Sequence, residues 1–387
     1  MAKATVCLNM IVKNEARVIR RCFESVRPFI DAWVIVDTGS TDGTQELIRE
    51  ELADVPGELF ERPWKNFGHN RSEALELARG RADYTMIIDA DEILIPAPGF
   101  TMPELTADEY MTLHEAGKSS TAFFLTQLVK SELPWRFDGV LHEVIACDVP
   151  HSTEKLKGLV CKGFFDSARN ADPKAKYESD ARVLEQALKD EPDNARYVFY
   201  LAQSYRDAGQ LEQAVETYRR RVTLGGWDEE VWYAQYQVGV LLERLGGDFG
   251  PALEAYLAAY QLRPTRAEPL CELARHYRQE KQYPLAHLFA RRAQEIQRPN
   301  DILFLDESVY AWRAIDELGV AAYYVGRHEE ALAAADLLLG GGRLPETELA
   351  RVTENRKFAV DALGTSLLPK KHSKGKKPHK QKNKKRR

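Results

Sequence analysis

Four short apolar runs, separated by stretches of helical spacing, occupy residues 4–89, and this alternation limits the fold more than any other feature. Residues 4–12 (ATVCLNMIV) read as a buried first strand, closed by Lys13-Asn14-Glu15. Ala16, Val18, Ile19, Cys22, Phe23 and Val26 then recur at helical spacing up to Arg27-Pro28. Residues 32–36 read as a second strand ending at Asp37. The turn over 38–44 leads into a helix, with Ser40 or Thr41 as its N-cap. Residues 57–62 suit an edge strand, and residues 67–79 a helix with Ala74, Leu75, Leu77 and Ala78 inward. A fourth strand then stops at Asp89. The order β-α-β-α-β-α-β predicts a parallel sheet with right-handed crossovers.

In such a sheet the polar groups that follow each strand converge. Asn14 and Glu15, Asp37, and Asp89 and Asp91 all fall at the carboxyl edge, where open α/β sheets bind ligands. Clustered carboxylates are costly there unless a cation or hydrogen-bond donors satisfy them. The Asp89-Ala90-Asp91 triplet offers hard oxygen ligands that suit Mg²⁺ or Mn²⁺, and through such an ion a diphosphate. Taken alone, the triplet equally suits a solvated strand end. Asp37 suits the N3–H of a uracil ring, or a turn-forming role. Asp89 suits a ribose hydroxyl or the metal, and Asp91 the metal. Gly39 and Gly43 make no dinucleotide or P-loop fingerprint.

Met10-Ile11-Val12-Lys13-Asn14-Glu15, the run from Val34 through Asp37 to Thr44, and Ile87-Ile88-Asp89-Ala90-Asp91-Glu92 together resemble the three signatures of family 2 glycosyltransferases with the GT-A fold. Their order and spacing match as well as their residues. The segment from Trp64 to Arg71 is similar to a donor-site segment of that family and adds Asn70 and Arg71 to the expected donor contacts. The resemblance implies a nucleotide-sugar donor, usually a UDP-sugar, a divalent Mn²⁺ or Mg²⁺ at the Asp-x-Asp, and transfer with inversion. It places Asp37 on the base, Asp89 near the ribose or the metal, and Asp91 on the metal.

Residues 102–117 read as a helix after a Pro-containing loop, and residues 122–129 as a strand. An aromatic-rich segment follows and ends in His142-Glu143. Inverting transfer needs a carboxylate that takes the proton of the attacking nucleophile. A segment of this Trp-x-x-x-Gly-x-x-His-Glu kind recurs in the family after the Asp-x-Asp. Glu143 is therefore the expected general base, with Asp138 as its rival. His142 suits a metal or phosphate contact, or a satisfied strand histidine. One departure stands out. Relatives of this type often carry a His-aromatic-Gly-aromatic element near the domain's end, and here Cys161-Lys162-Gly163-Phe164-Phe165 takes its place. Charged Lys162 cannot complete a metal shell but suits a leaving diphosphate, which puts strict metal dependence in question. Cys147 and Cys161 read as small buried apolar residues.

From about Lys176 the pattern becomes helical and repeats. Leu201-Ala202 with Tyr205, Gly209, Ala214 and Tyr218 recurs from Val238-Gly239, from Leu273-Ala274 and, more loosely, from Leu318-Gly319. Residues 299–308 interrupt the spacing before the last copy. This resembles the tetratricopeptide repeat, whose stacked helix pairs make a concave surface for peptides or docked domains. Small residues at 202, 239, 274 and 319 predict close helix approach. Arg219-Arg220-Arg221, Trp227 and Trp232 read as structural or solvated. Segments at 225–233 and 312–324 are similar to parts of glycosyltransferases with such a tail, so the resemblance covers roughly residues 4–340. The expected fold is an α/β GT-A, Rossmann-like domain with a mostly parallel sheet (residues 1–170), an all-α tetratricopeptide-type superhelical domain (171–364), and a disordered basic tail (365–387).

The chain has 387 residues, is 44% hydrophobic and carries a net charge of −5. That charge conceals an asymmetry, because residues 370–387 hold 11 Lys and Arg and no acid, so the body is strongly acidic. The tail suits RNA, DNA, anionic lipid or another anionic partner, but an acidic body argues against nucleic acid as the main substrate. Five scattered cysteines without metal-like spacing suit a reducing compartment. The first apolar stretch is too short for a signal peptide, and no run approaches the ~18 apolar residues of a membrane span. A cytoplasmic, metal-dependent glycosyltransferase with a protein or peptide acceptor follows as the expectation. The alternatives are a non-catalytic nucleotide-sugar-binding scaffold and, more weakly, a nucleotidyltransferase.

Overall fold

The computed structural model describes residues 3–116, 122–164 and 166–366. The apolar runs of the N-terminal third become β1 (Val6–Val12), β2 (Ala32–Asp37), β3 (Gly57–Glu61) and β4 (Tyr84–Ile87). Between them lie α1 (Ile19–Val26), α2 (Thr44–Glu51) and α3 (Phe67–Ala78). Strands β1 to β4 pair in parallel in the order β3-β2-β1-β4, with β3 at the edge, as the alternation predicts. Val12 lies opposite Asp37 in the β1–β2 register, so the two strands end side by side. The core is the apolar set Leu8, Met10, Ile35 and Met86 on the strands against Ile19, Phe23 and Ile48 on the helices. Asn9 is the polar exception on β1. It donates to the carbonyls of Val34 (3.3 Å) and Ala74 (2.8 Å) and so ties α3 to the sheet.

The far half of the sheet departs from the expectation. It comprises β5 (Glu92–Pro96), β6 (Glu109–Ala116), β7 (Ala122–Lys130) and β10 (Thr153–Gly163), in the order β4-β7-β6-β10-β5. Of the helix expected over residues 102–117, residues 102–108 are irregular chain and residues 109–116 a strand, and residue 117 lies outside the described residues. Its register explains the change. Tyr110 lies opposite Leu128 and Leu113 opposite Phe124, while Cys161 pairs with His114 on the other side. These long-range ladders outweigh local helix preference. β5 and β10 lie outside the strands read from the sequence. β8 (Arg136–Asp138) and β9 (Val144–Ala146) form a separate two-stranded sheet. Helix α2 is preceded by Gly43 in a left-handed conformation, not capped by Ser40 or Thr41.

Helices α4 (Pro173–Asp190), α5 (Ala195–Asp207) and α6 (Leu211–Thr223) follow, then α7 (Asp228–Leu245), α8 (Gly250–Leu262), α9 (Glu268–Gln279), α10 (Tyr283–Glu295), α11 (Ala314–Tyr324), α12 (His328–Gly340) and α13 (Glu346–Ser366). Within each compact unit consecutive helices pack on one another, α4 to α6 in the first and α7 to α13 in the second, the arrangement of tetratricopeptide repeats. The chain changes from strands to helices before α4, whereas compactness divides it at Leu224 and Gly225.

In the second unit, Gly239 allows α7 and α8 to touch, since a Cβ there would lie 2.7 Å from the Tyr256 ring. Trp232 is buried, and the fully buried Arg266 guanidinium lies 3.7 Å over its ring. Arg266 pairs with Glu268 (2.7 Å) and Asp301 (3.2 Å) and donates to the carbonyls of Leu303 and Phe304. The interruption at residues 299–308 is thereby anchored on one buried arginine. The basic tail beyond residue 366 and Phe165 lie outside the described residues.

Candidate functional site

The acidic turn is built from backbone outward. Glu92 N donates to Asp89 O (3.0 Å), and Asp89 N donates to a Glu92 carboxylate oxygen (3.1 Å). Asp91 O accepts from Phe164 N at 3.2 Å and from Arg21 at 3.4 Å, and Arg21 also clamps Asp166. With its main chain held, the turn presents its carboxylates to a cleft of about 720 Å³. Burial, then Asp89 and Glu92, raises the Asp91 carboxyl above its ordinary value. Burial, then Asp91, pushes Glu15 up to about 7.

Glu15 reaches this place because the loop after β1 is laced to the loop after β2. Asn14 N donates to Ser40 Oγ (2.8 Å), Glu15 N to Thr44 Oγ1 (2.9 Å), and Thr41 N to Asn14 Oδ1 (2.8 Å). Asn14 adopts a positive φ of 58° to make that turn. Glu15 Oε2 is buried without a hydrogen-bond partner among the described residues. Glu15, Asp89 and Asp91 thus offer hard oxygen donors, one of them orphaned, a set that fits Mn²⁺ or Mg²⁺.

Opposite the acids stands Arg71 from α3. Its Nη2 lies 2.5 Å from Asp89 Oδ1, and its Nε 2.7 Å from Glu143 Oε1. The second contact is a close ion pair without hydrogen-bond alignment, since Nε has no aligned acceptor. Burial opposes the Arg71 charge, but Asp89 and Glu143 outweigh it and raise the group's pKa. Helix α3 sits this close because Gly68 has no side chain. A Cβ there would lie 2.1 Å from the Gly139 carbonyl oxygen.

Of the two rival bases, Glu143 lines the cleft with its side chain 12% exposed. Asp138 does not line it, and Arg136 holds both its oxygens, at 2.8 and 3.1 Å. His142 lines the cleft with φ at 52°, its ring stacked on Tyr200 at 4.0 Å and its carbonyl accepting from Arg196. Burial first, then Lys176 and Arg169, push its pKa down to about 4, so the ring is neutral near pH 7.

Three expected donor residues do not themselves line the cleft. Asn70 is fully buried, and its amide accepts from Lys65 N (2.9 Å) and donates to Pro63 O (3.1 Å), holding the loop before α3. Lys162 is not a lining residue, and its Nζ lies 5.8 Å from the Phe164 ring. Asp37 sits behind lining Thr38. Its Oδ1 accepts from Gly39 N, Ser40 N and Gln45 Nε2, as a turn-forming aspartate would, while buried Oδ2 has no partner among the described residues.

The sequence reading stopped short of the opposite wall. Arg169, Lys176 and Asp180, from the loop after β10 and from α4, also line the cleft. Arg169 pairs with Asp180 and lies 4.4 Å over the Phe67 ring. The dense polar stretch from Asp166 to Lys176 was the available signal. The assembled cleft pairs a three-carboxylate corner with a cationic wall, an arrangement able to hold a metal–diphosphate group.

The sequence profile of glycosyl transferase family 2 matches residues 7–97, which carry this corner. Residues 7–97 are a family 2 glycosyltransferase domain. The chain is 27% identical over 312 residues to a TPR repeat-containing protein of Synechococcus elongatus, covering 76% of this chain and 75% of that one. It is 25% identical over 238 residues to the SPbeta prophage-derived glycosyltransferase SunS of Bacillus subtilis, covering 56% of this chain and 53% of SunS. The lipopolysaccharide core biosynthesis glycosyltransferase LpsC of Rhizobium meliloti is 35% identical over 99 residues, 25% of this chain and 36% of LpsC. Among solved structures, MamA covers 50% of this chain and 92% of its own, at 18% identity and a TM-score of 0.34. No helix among the described residues is long and apolar enough to cross a membrane.

Proposed function

We propose that this chain moves a sugar from a nucleotide-sugar donor, a UDP-sugar, to an acceptor with inversion at the anomeric carbon. The observation that carries the reading is the cleft in which Glu15, Asp89 and Asp91 face Arg71 and Glu143. Asp91, Glu15 and Asp89 would hold Mn²⁺ or Mg²⁺, and His142 is a neutral imidazole that lines the same cleft. The ion would neutralise charge on the diphosphate. Arg71, Arg169 and Lys176 supply further positive charge for that group. The unpartnered Asp37 Oδ2 suits the uracil N3–H.

Glu143 takes the proton of the acceptor nucleophile as it attacks the anomeric carbon. The bond from that carbon to the diphosphate breaks, and its electron pair leaves with the nucleotide. The acceptor is a protein or peptide, the ligand class that stacked helix pairs bind along their faces. The cytoplasm is the compartment that this donor and five free cysteines suit. The scaffold alternative rested on Lys162 at the departed motif, and Lys162 is not a residue of the cleft.

The test is a thermal-shift screen of UDP-, GDP- and TDP-sugars with and without Mn²⁺, followed by nucleotide release. Stabilisation by a UDP-sugar that needs Mn²⁺ and is lost in Asp91→Asn is the expected result. No shift with any nucleotide sugar would defeat the reading.

A further inference from the structure

Beneath the acidic turn, three adjacent strands bring different chemistry together. Glu92 opens β5, His114 lies on β6 and Cys161 on β10, the strand between them. Cys161 is the register partner of His114, and Gly163 is the partner of Glu92. One ligand atom from each of Glu92, His114 and Cys161 lies within 4.8 Å of the others. His114 Nδ1 is 3.7 Å from Glu92 Oε1. His114 is 8% exposed and Cys161 fully buried, yet His114 Nε2 has no hydrogen-bond partner among the described residues. A buried imidazole with one unpartnered nitrogen, in a ring grouped with a thiol and a carboxylate, has ligand capacity that the protein itself does not use.

We propose that Glu92, His114 and Cys161 form a transition-metal site that takes Zn²⁺, separate from the oxygen-donor corner of Glu15, Asp89 and Asp91. The donor types decide the ion. Thiolate, imidazole and carboxylate together suit Zn²⁺, whereas Mg²⁺ and Mn²⁺ select hard oxygen sets. On binding, the thiol proton leaves to water and sulfur, nitrogen and carboxylate oxygen each give a lone pair to the metal. Glu92 lines the cleft, which provides an entry path for the ion. Glu92 also accepts from Asp89 N, so an ion here would brace the turn that carries Asp89 and Asp91. The adjacent Cys22 thiol donates to Asp89 O at 3.6 Å and is not among the three ligands.

The experiment uses the full chain, stripped by a chelator and titrated with Co²⁺ as a visible stand-in for Zn²⁺. A thiolate-to-cobalt charge-transfer absorption saturating at one equivalent, and bleached by Zn²⁺, is expected. It should persist in Asp91→Asn and Cys271→Ser and vanish in Cys161→Ser. His114→Gln should weaken Co²⁺ binding more than about tenfold, which keeps the test decisive should Cys161→Ser not fold. Absence of the band, its survival in Cys161→Ser, or unchanged affinity in His114→Gln would overturn the site. Such a failure leaves the nucleotide-sugar reading untouched, because that reading gives none of these three side chains a contact with donor, acceptor or the Mn²⁺ or Mg²⁺ ion.

Discussion

Arg71 Nη2 lies 2.5 Å from Asp89 Oδ1, and the same guanidinium reaches Glu143 at 2.7 Å. One cation thus joins the acidic turn to the proposed base across the cleft. The Arg71 side chain is only 13% exposed, so both contacts form where water screens them weakly. Arg71→Met removes this link while keeping most of the side-chain volume. Turnover is expected to fall about 10²–10³-fold, with the fold intact by circular dichroism. Arg71→Lys should recover little, because a point charge cannot serve two carboxylates as a planar fork does. Steady-state kinetics on the three proteins decides it, and wild-type turnover in Arg71→Met would take Arg71 out of the site.

Glu15 predicts a pH signature. Its carboxyl is raised from 4.5 to about 7, first by burial and then by Asp91. The folded protein therefore keeps a proton that the unfolded chain has released between these values. The resulting stability is complete below pH 4.5 and is lost as pH rises to about 7. Glu15→Gln cannot titrate. The melting temperature of the wild type, measured against Glu15→Gln, should drop by about 2–4 °C across that window. Mn²⁺ added at neutral pH should reverse the drop in the wild type and have less effect on the variant. A difference that stays flat with pH would mean that Glu15 titrates as an ordinary carboxyl.

The first half of the sheet was legible because its signals are local. Apolar runs, helical spacing and the closing acids of β1, β2 and β4 are all read within a few residues. β6 was not, because Tyr110, Thr112 and His114 become a strand only through β7 and β10, which join from further along the chain. The same reason hid part of the site. Glu143 and Asp138 look alike in sequence, and only their partners, Arg71 and Arg136, separate them. Asn70 sits in a donor-like motif, yet its amide is engaged by its own loop. Arg169 belongs to a single 3₁₀ turn and Lys176 to a helix start, where no periodicity marks a residue as facing a cleft.

The repeat helices predict a stability effect far from the chemistry. Arg266 is fully buried over Trp232 and paired with Glu268 and Asp301. Removing one partner of such a pair leaves buried charge uncompensated, at about 3–5 kcal/mol. Arg266→Met should lower stability by that amount in urea denaturation. It should also expose residues 299–308 to protease, since the carbonyls of Leu303 and Phe304 lose their donor. Glu268→Gln in the same background should cost less than it does alone, because the two side chains are coupled. Additive effects would show that the pair is not the anchor.

Gly68 gives the most local test of how the fold places Arg71. A Cβ at Gly68 would lie 2.1 Å from Gly139 O and 3.2 Å from Phe137 O, both backbone atoms that cannot swing aside. Gly68→Ala must therefore push the start of α3 away from the segment that leads from β8 to Glu143. Overpacking of this kind costs about 1–3 kcal/mol, a drop readable in thermal unfolding. Arg71 lies one helical turn beyond Gly68, so the same displacement lengthens its contact with Glu143. Activity should accordingly fall more steeply than stability does. Glu76→Ala, at an exposed position further along α3, should change neither. If Gly68→Ala loses stability and keeps full turnover, the Arg71–Glu143 contact tolerates movement and the link between helix position and catalysis fails.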